Sequence, residues 1–113
     1  MQTNQGRCKV LVTGIGMISP LGNGKVANWE AVLAGTNAIQ KIPGLSSECK
    51  IGGSIPKTIF NPDDYPTSLK SPIYSLSAAI MEQTIMDANL QLKELSESQL
   101  RRSGILISNQ YGV

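Results

Sequence analysis

The sequence predicts an α/β fold, and three observations carry that prediction. Val10-Leu11-Val12-Thr13 is a short run of apolar and β-branched residues that ends at Gly14. Ile105-Leu106-Ile107 is a second such run near the other end of the chain. Between them, Lys25 to Ala34 and Ser71 to Asn89 carry apolar residues at helical spacing. A strand that is apolar at successive positions needs cover on both faces, as central parallel strands have. Two such runs joined through helices imply a parallel, right-handed pairing. The expected core strands are therefore Lys9-Gly14 and Gly104-Ser108.

After the first run the chain breaks at Gly14 and Gly16 and turns at Ser19-Pro20. Gly-x-Gly after a strand is how a dinucleotide-binding fingerprint begins. Here Ser19 stands where a third Gly or Ala is wanted, Pro20 interrupts the first turn of the expected helix, and no second strand ending in an acid follows. Gly14 and Gly16 read instead as structural: each permits a positive φ or a close approach that a Cβ would block.

The first helix presents Val26, Trp29, Val32 and Leu33 on one stripe, with Lys25, Asn28 and Glu30 facing away. Trp29 reads as a core anchor, and Gly35 as the left-handed stop. Residues 36 to 61 hold most of the loop signals, with a short edge strand around Lys50 to Ile55 in which Ile51 and Ile55 share a side. Asn61 caps a helical turn with Pro62 first, and Asp63 and Asp64 lie at its positive end, which accounts for both carboxylates without a catalytic role. In the second helix Ser71 is the cap, Pro72 the start and Asn89 the stop. Its apolar residues go most of the way round, so burial on more than one side is expected, with Met81 and Met86 filling gaps. Ala78-Ala79 would let another backbone approach. Ser96 and Gln99 form a capping-box pair.

The 113 residues make one domain at most, and 10 basic against 8 acidic side chains, a net charge of +2, predict no nucleic-acid partner. With no histidine and two distant cysteines, Cys8 and Cys49, neither a metal site nor a disulfide framework is expected. Cys49 is the better candidate for an exposed thiol. No apolar run approaches the roughly 20 residues of a membrane helix, and the first residues lack a secretory signal's apolar core.

The run VTGIGMISPLGNG, followed by Trp29, Leu33-Ala34-Gly35 and Ile39, resembles the N-terminus of the β-ketoacyl-[acyl-carrier-protein] synthases. Phe60-Asn61-Pro62-Asp63-Asp64-Tyr65 is similar to their FxPxxY-type segment. Ser71-Pro72, Ala78-Ala79 and Asp87-Ala88-Asn89 are similar to the long helix that follows, particularly in the mitochondrial form, and Gly104 to Ile107 to the next core strand. The resemblance covers nearly the whole chain in order. It implies the N-terminal part of a thiolase-like layered α/β/α/β/α fold, residues 1–113 being one incomplete domain.

The resemblance also implies a decarboxylating condensing enzyme of fatty-acid synthesis. Its partners would be an acyl carrier protein and a second ketosynthase subunit, with no cofactor and no metal. The location would be mitochondrial or cytoplasmic rather than secreted. The family's cysteine nucleophile and two histidines have no match here, so the 113 residues alone are expected to be inactive. An alternative is a non-catalytic short product that pairs with a complete subunit. Tyr111 matches a position bordering the acyl pocket, although Asn109, Gln110 and Tyr111 depart from the family's small, glycine-rich loop. Two central strands without further partners leave open edges, so the chain reads as the opening part of a larger fold.

Overall fold

A computed structural model describes residues 9–44, 46, 48–65 and 71–108. Its longest element is a helix over Pro72–Asp87, against which the glycine segment at residues 14–17 and the turn at Pro62–Asp64 lie. In chain order the elements are β1 (Ile18–Ser19), β2 (Gly22–Asn23), α1 (Lys25–Leu33), β3 (Gln40–Lys41), β4 (Ile51–Gly52), a 3-10 turn (Pro62–Asp64), α2 (Pro72–Asp87), a second 3-10 turn (Leu92–Glu94) and α3 (Glu97–Leu100). The chain is thus a mixture of helices and small sheets. β1 pairs with β2 and β3 with β4, both antiparallel and both two-stranded.

The helix boundaries follow the local signals. α1 is closed by Gly35 at φ 65°, and the chain leaves α2 through Asn89 at φ 50°, the left-handed conformation that ends helices. Asn61 accepts the Asp63 backbone N–H at the first 3-10 turn, with Pro62 at its start. Ser96 and Gln99 form the capping box of α3: the Ser96 hydroxyl accepts the Gln99 N–H at 3.3 Å, and the Gln99 side chain accepts the Ser96 N–H at 2.8 Å. These interactions lie within four residues of each other, so short sequence windows contain all their causes. Among the described residues, no helix is long and apolar enough to cross a membrane.

The two expected core strands are not formed. Residues 9–14 and 104–108 belong to no ladder, and Val10 to Thr13 and Gly104 to Ser108 make no hydrogen bonds. Val10, Leu11 and Val12 are 77–90% exposed, and Ile105, Leu106 and Ile107 are 70–96% exposed. A strand exists only where a partner accepts its ladder, and neither run meets one in this fold. β-propensity therefore overstated the local structure. The expected edge strand over Lys50 to Ile55 shrinks to β4, whose partner β3 lay unnoticed in a stretch read as loop. Ile51 is exposed while Ile55 packs on the core, so the two differ in environment.

The core is small: Ile18, Phe60 and Ala79, with Ile55, Ile59, Tyr65, Leu76 and Ile80 packed around them. Phe60 and Tyr65 meet with ring centroids 5.5 Å apart at 36°. Only one side of α2 is well covered. Ser75 and Ala79 are buried while Tyr74, Met81 and Met86 are exposed, which corrects the expectation of burial all round and of core methionines. Of the Ala78-Ala79 pair, Ala79 is buried in the core and Ala78 is exposed; the close backbone approach to α2 falls instead at Ile80, Thr84 and Ala88.

α1 is rotated relative to its apolar stripe. Asn28 is 4% exposed, whereas Trp29 is 62% exposed and Val26, Val32 and Leu33 also face out. The polar face docks because Asn28 satisfies the tight β1–β2 hairpin. Its Nδ2 donates to the Gly22 and Gly24 carbonyls, each at 2.8 Å, and its Oδ1 accepts from the Ser19 hydroxyl. A buried amide with every partner in place outweighs a helix face with no surface opposite it. Replacing Asn28 with Ala removes both amide donors and the acceptor of the Ser19 hydroxyl, and should cost about 2 kcal/mol in urea unfolding. Trp29→Ala, on the open side, should cost less than half of that.

Candidate functional site

The glycine segment lies directly on α2. A Cβ on Gly14 would stand 2.4 Å from the Thr84 carbonyl and 2.8 Å from the Ala88 Cβ. One on Gly16 would stand 2.1 Å from the Ile80 carbonyl and 2.5 Å from the Thr84 hydroxyl. Two residues of extended chain advance about 6.6 Å, and four residues of helix about 6 Å. Alternate glycines therefore keep step with Ile80, Thr84 and Ala88 as the segment runs antiparallel to the helix. Of the two uses the sequence allows for these glycines, close approach is the one found; neither is among the positive-φ residues.

The intervening backbone is fastened by α2 side chains. Ile15 N–H donates to Asp87 Oδ2 at 3.0 Å, and Met17 N–H donates to Gln83 Oε1 at 3.0 Å. Gln83 Nε2 in turn donates to Asn23 Oδ1 at 2.6 Å, and Asn23 Nδ2 to the Ile59 carbonyl at 3.0 Å. Asp87 Oδ1 also accepts from Lys25 Nζ at the start of α1. The Lys25 hydrogen bond first, then the Ile15 N–H, hold the Asp87 carboxyl below the usual carboxylate range; partial desolvation opposes them, and the Lys25 charge adds to the lowering.

Ser19 and Pro20 make the adjoining hairpin. The Ser19 hydroxyl accepts the Leu21 N–H at 3.1 Å, and Pro20 stacks on Gly53. Between this segment and α1 opens a cavity of about 690 Å³, walled by Ile15, Met17, Leu21, Val26, Trp29 and Val32. Its walls are apolar, and Lys25 at its rim is engaged with Asp87. Such a groove can take up an apolar group; Ser19, Asn28 and Glu30 also line it, the Ser19 hydroxyl and Asn28 amide being engaged with each other.

Among the expected site residues, Gly14, Gly16, Ser19 and Pro20 come together, and Tyr111 lies outside the described residues. The glycines do not open a helix, since β1 and β2 intervene before α1, so no phosphate cradle is formed. Cys8 also lies outside the described residues; Cys49 is exposed, as expected, and its thiol donates to the Ile51 carbonyl at 3.6 Å. Among the described residues, no three His, Cys, Asp or Glu side chains gather as metal ligands. Asp63 pairs with Lys57 at 3.0 Å, and Asn61 donates to Asp64 at 3.1 Å, in keeping with their structural reading. The sequence reading missed Asn23, Asn28, Gln83 and Asp87 as fasteners. One signal was available: small or short side chains at Thr84 and Ala88, one turn apart, matching Gly14-x-Gly16.

Residues 8–110 match the family model "Beta-ketoacyl synthase, N-terminal domain", and the chain belongs to that family. It is 33% identical over 118 residues to 3-oxoacyl-[acyl-carrier-protein] synthase 2 of Rhizobium meliloti, covering 92% of this chain and 27% of that enzyme. The enzyme of the same description from Staphylococcus aureus (strain COL) is 28% identical over 113 residues, covering 92% of this chain and 26% of the enzyme. That from Synechocystis is 28% identical over 115 residues, covering 96% and 27%. The chain thus spans about a quarter of the length of these curated relatives. No solved structure matches it.

Two measurements check this geometry. Gly14→Ala and Gly16→Ala should each destabilise the fold by roughly 1–3 kcal/mol, because the atoms met are helix backbone that cannot give way. Gly104→Ala, with open space around it, should stay within about 0.5 kcal/mol. The folded-state pKa of Asp87 lies below the unfolded value of about 3.9, so its stabilisation is complete above that pH and is lost as pH falls through the lower folded value. Urea midpoints followed from about pH 6 to about pH 2 should show this loss in the parent and not in Asp87→Asn.

Proposed function

We propose that this chain is the N-terminal part of a decarboxylating condensing enzyme that elongates carrier-bound acyl chains with malonyl-carrier in fatty-acid synthesis. The observation that carries the reading is the family match over residues 8–110, supported by relatives that share one description, 3-oxoacyl-[acyl-carrier-protein] synthase 2. In such chemistry a thiolate attacks the acyl thioester, and fixed donors stabilise the oxyanion formed as malonate loses carbon dioxide. The Cys-His-His set belongs to residues outside this sequence, which holds no histidine. The contribution of these 113 residues is scaffolding: a thiolase-like layer in which residues 9–14 and 104–108 become central strands once they are paired.

In the complete enzyme the partners are an acyl carrier protein and a second ketosynthase subunit, and Tyr111 borders the acyl pocket. The location is mitochondrial or cytoplasmic. The mitochondrial likeness rests on the helix wording from Ser71 to Asn89, whereas the relatives compared above are bacterial. The second reading is a non-catalytic short product that pairs with a complete ketosynthase subunit.

Transplanting residues 8–110 into the corresponding segment of the Staphylococcus aureus enzyme tests the first reading. A folded chimera should release carbon dioxide from malonyl-carrier and extend an acyl-carrier primer, while the 113-residue chain alone should do neither. A folded chimera that binds carrier yet forms no carbon–carbon bond would defeat it. Stoichiometric association of the 113-residue chain with an intact ketosynthase subunit, slowing its condensation, would favour the second reading.

A further inference from the structure

We propose that Asn23-Gly24 is a deamidation site held closed by the fold, and that its conversion is governed by release of the β1–β2 hairpin from α2 at the Gln83–Asn23 bond. This is the one Asn-Gly pair in the sequence. A glycine after asparagine carries no Cβ to shield its backbone nitrogen, so that nitrogen can reach the asparagine side-chain carbon. Asparagine is thermolabile through such chemistry. The hairpin also requires this glycine, because Gly24 stands at φ 95°, a conformation that side chains rarely tolerate.

The reaction needs freedom that the structure withholds from both residues. The Gly24 nitrogen must lose its proton and turn towards Asn23 Cγ, whereas its N–H donates to the Met17 carbonyl at 2.8 Å. The Asn23 carboxamide must swing towards that nitrogen, yet it is tied at both ends. Its Oδ1 accepts from Gln83 Nε2 at 2.6 Å, and its Nδ2 donates to the Ile59 carbonyl at 3.0 Å. The Asn23 backbone is paired with Ile18 across the hairpin, and Gln83 is fixed in turn by the Met17 N–H at 3.0 Å. Every one of these groups belongs to this chain.

When the hairpin opens, the deprotonated Gly24 nitrogen bonds to Asn23 Cγ, the Cγ–Nδ2 bond breaks, and ammonia leaves with the proton. Water then adds to either carbonyl of the succinimide and returns a proton to the ring nitrogen, giving aspartate or isoaspartate. Both products lack the donor to the Ile59 carbonyl, and isoaspartate adds a methylene to the backbone of β2. Either change loosens the hairpin, so the conversion is self-reinforcing.

The test incubates the 113-residue chain in mildly alkaline buffer, with and without urea, and follows aspartate and isoaspartate at position 23 by peptide mass spectrometry. Conversion should be at least about tenfold slower in the native chain than in urea, because it waits on local opening. Gln83→Met keeps the length of the side chain without its polar end. It should speed native conversion about fivefold, the factor one ordinary hydrogen bond sets on an opening equilibrium, and leave the rate in urea unchanged. Ser96→Ala removes the α3 cap at a cost of the same order but breaks none of the hairpin's bonds, and should leave the native rate at the parent value. Equal parent rates with and without urea would overturn the proposal, whatever the variants do. So would an unchanged native rate in Gln83→Met, or an equal acceleration in Ser96→Ala, which would make global unfolding the gate.

Discussion

The close approach of backbone to backbone between Gly14–Gly16 and α2 is the contact on which the rest of the described structure depends. No side chain fits between these elements, so their separation is set by the atoms of the chain itself. That proximity puts the Ile15 and Met17 N–H groups within reach of Asp87 and Gln83. From those two side chains the polar links spread to Lys25 on α1 and to Asn23 on β2, and from Asn23 to the Ile59 carbonyl beside the core. A chain with so few buried large side chains is held in register more by these directional bonds than by apolar volume.

The same economy explains the orientation of α1. Burying its apolar stripe would have required a surface opposite Trp29 and Val32, and the described chain supplies none. The hairpin, by contrast, offers two carbonyls and a hydroxyl in the geometry that one asparagine can satisfy. Leaving those groups buried and unpaired would be more costly than leaving aliphatic carbon in water. An apolar groove at the surface is the direct result.

In this chain, which belongs to the β-ketoacyl synthase N-terminal domain family, the glycine segment is a scaffold element rather than a cradle for phosphate: Gly14 and Gly16 lie against a helix, and the Ile15 and Met17 N–H groups donate to α2 side chains.

What the sequence determined by itself is the punctuation. Gly35, Asn61-Pro62, Asn89 and the Ser96–Gln99 pair mark their helix ends correctly, because a cap or a left-handed stop is satisfied by atoms a few residues away, and Ser71-Pro72 marks the start of α2 by position although the Ser71 side chain makes no capping bond. The need for glycine at 14 and 16 was legible too, though whether for torsion or for contact was not. Tertiary structure decided which side of α1 is buried, that Asp87 and Gln83 reach residues more than sixty positions away, and that Val10–Val12 and Ile105–Ile107 carry no ladder. A pattern of apolar residues states what would gain from burial. Whether a partner surface exists depends on the placement of every other element, and that is information no local window contains.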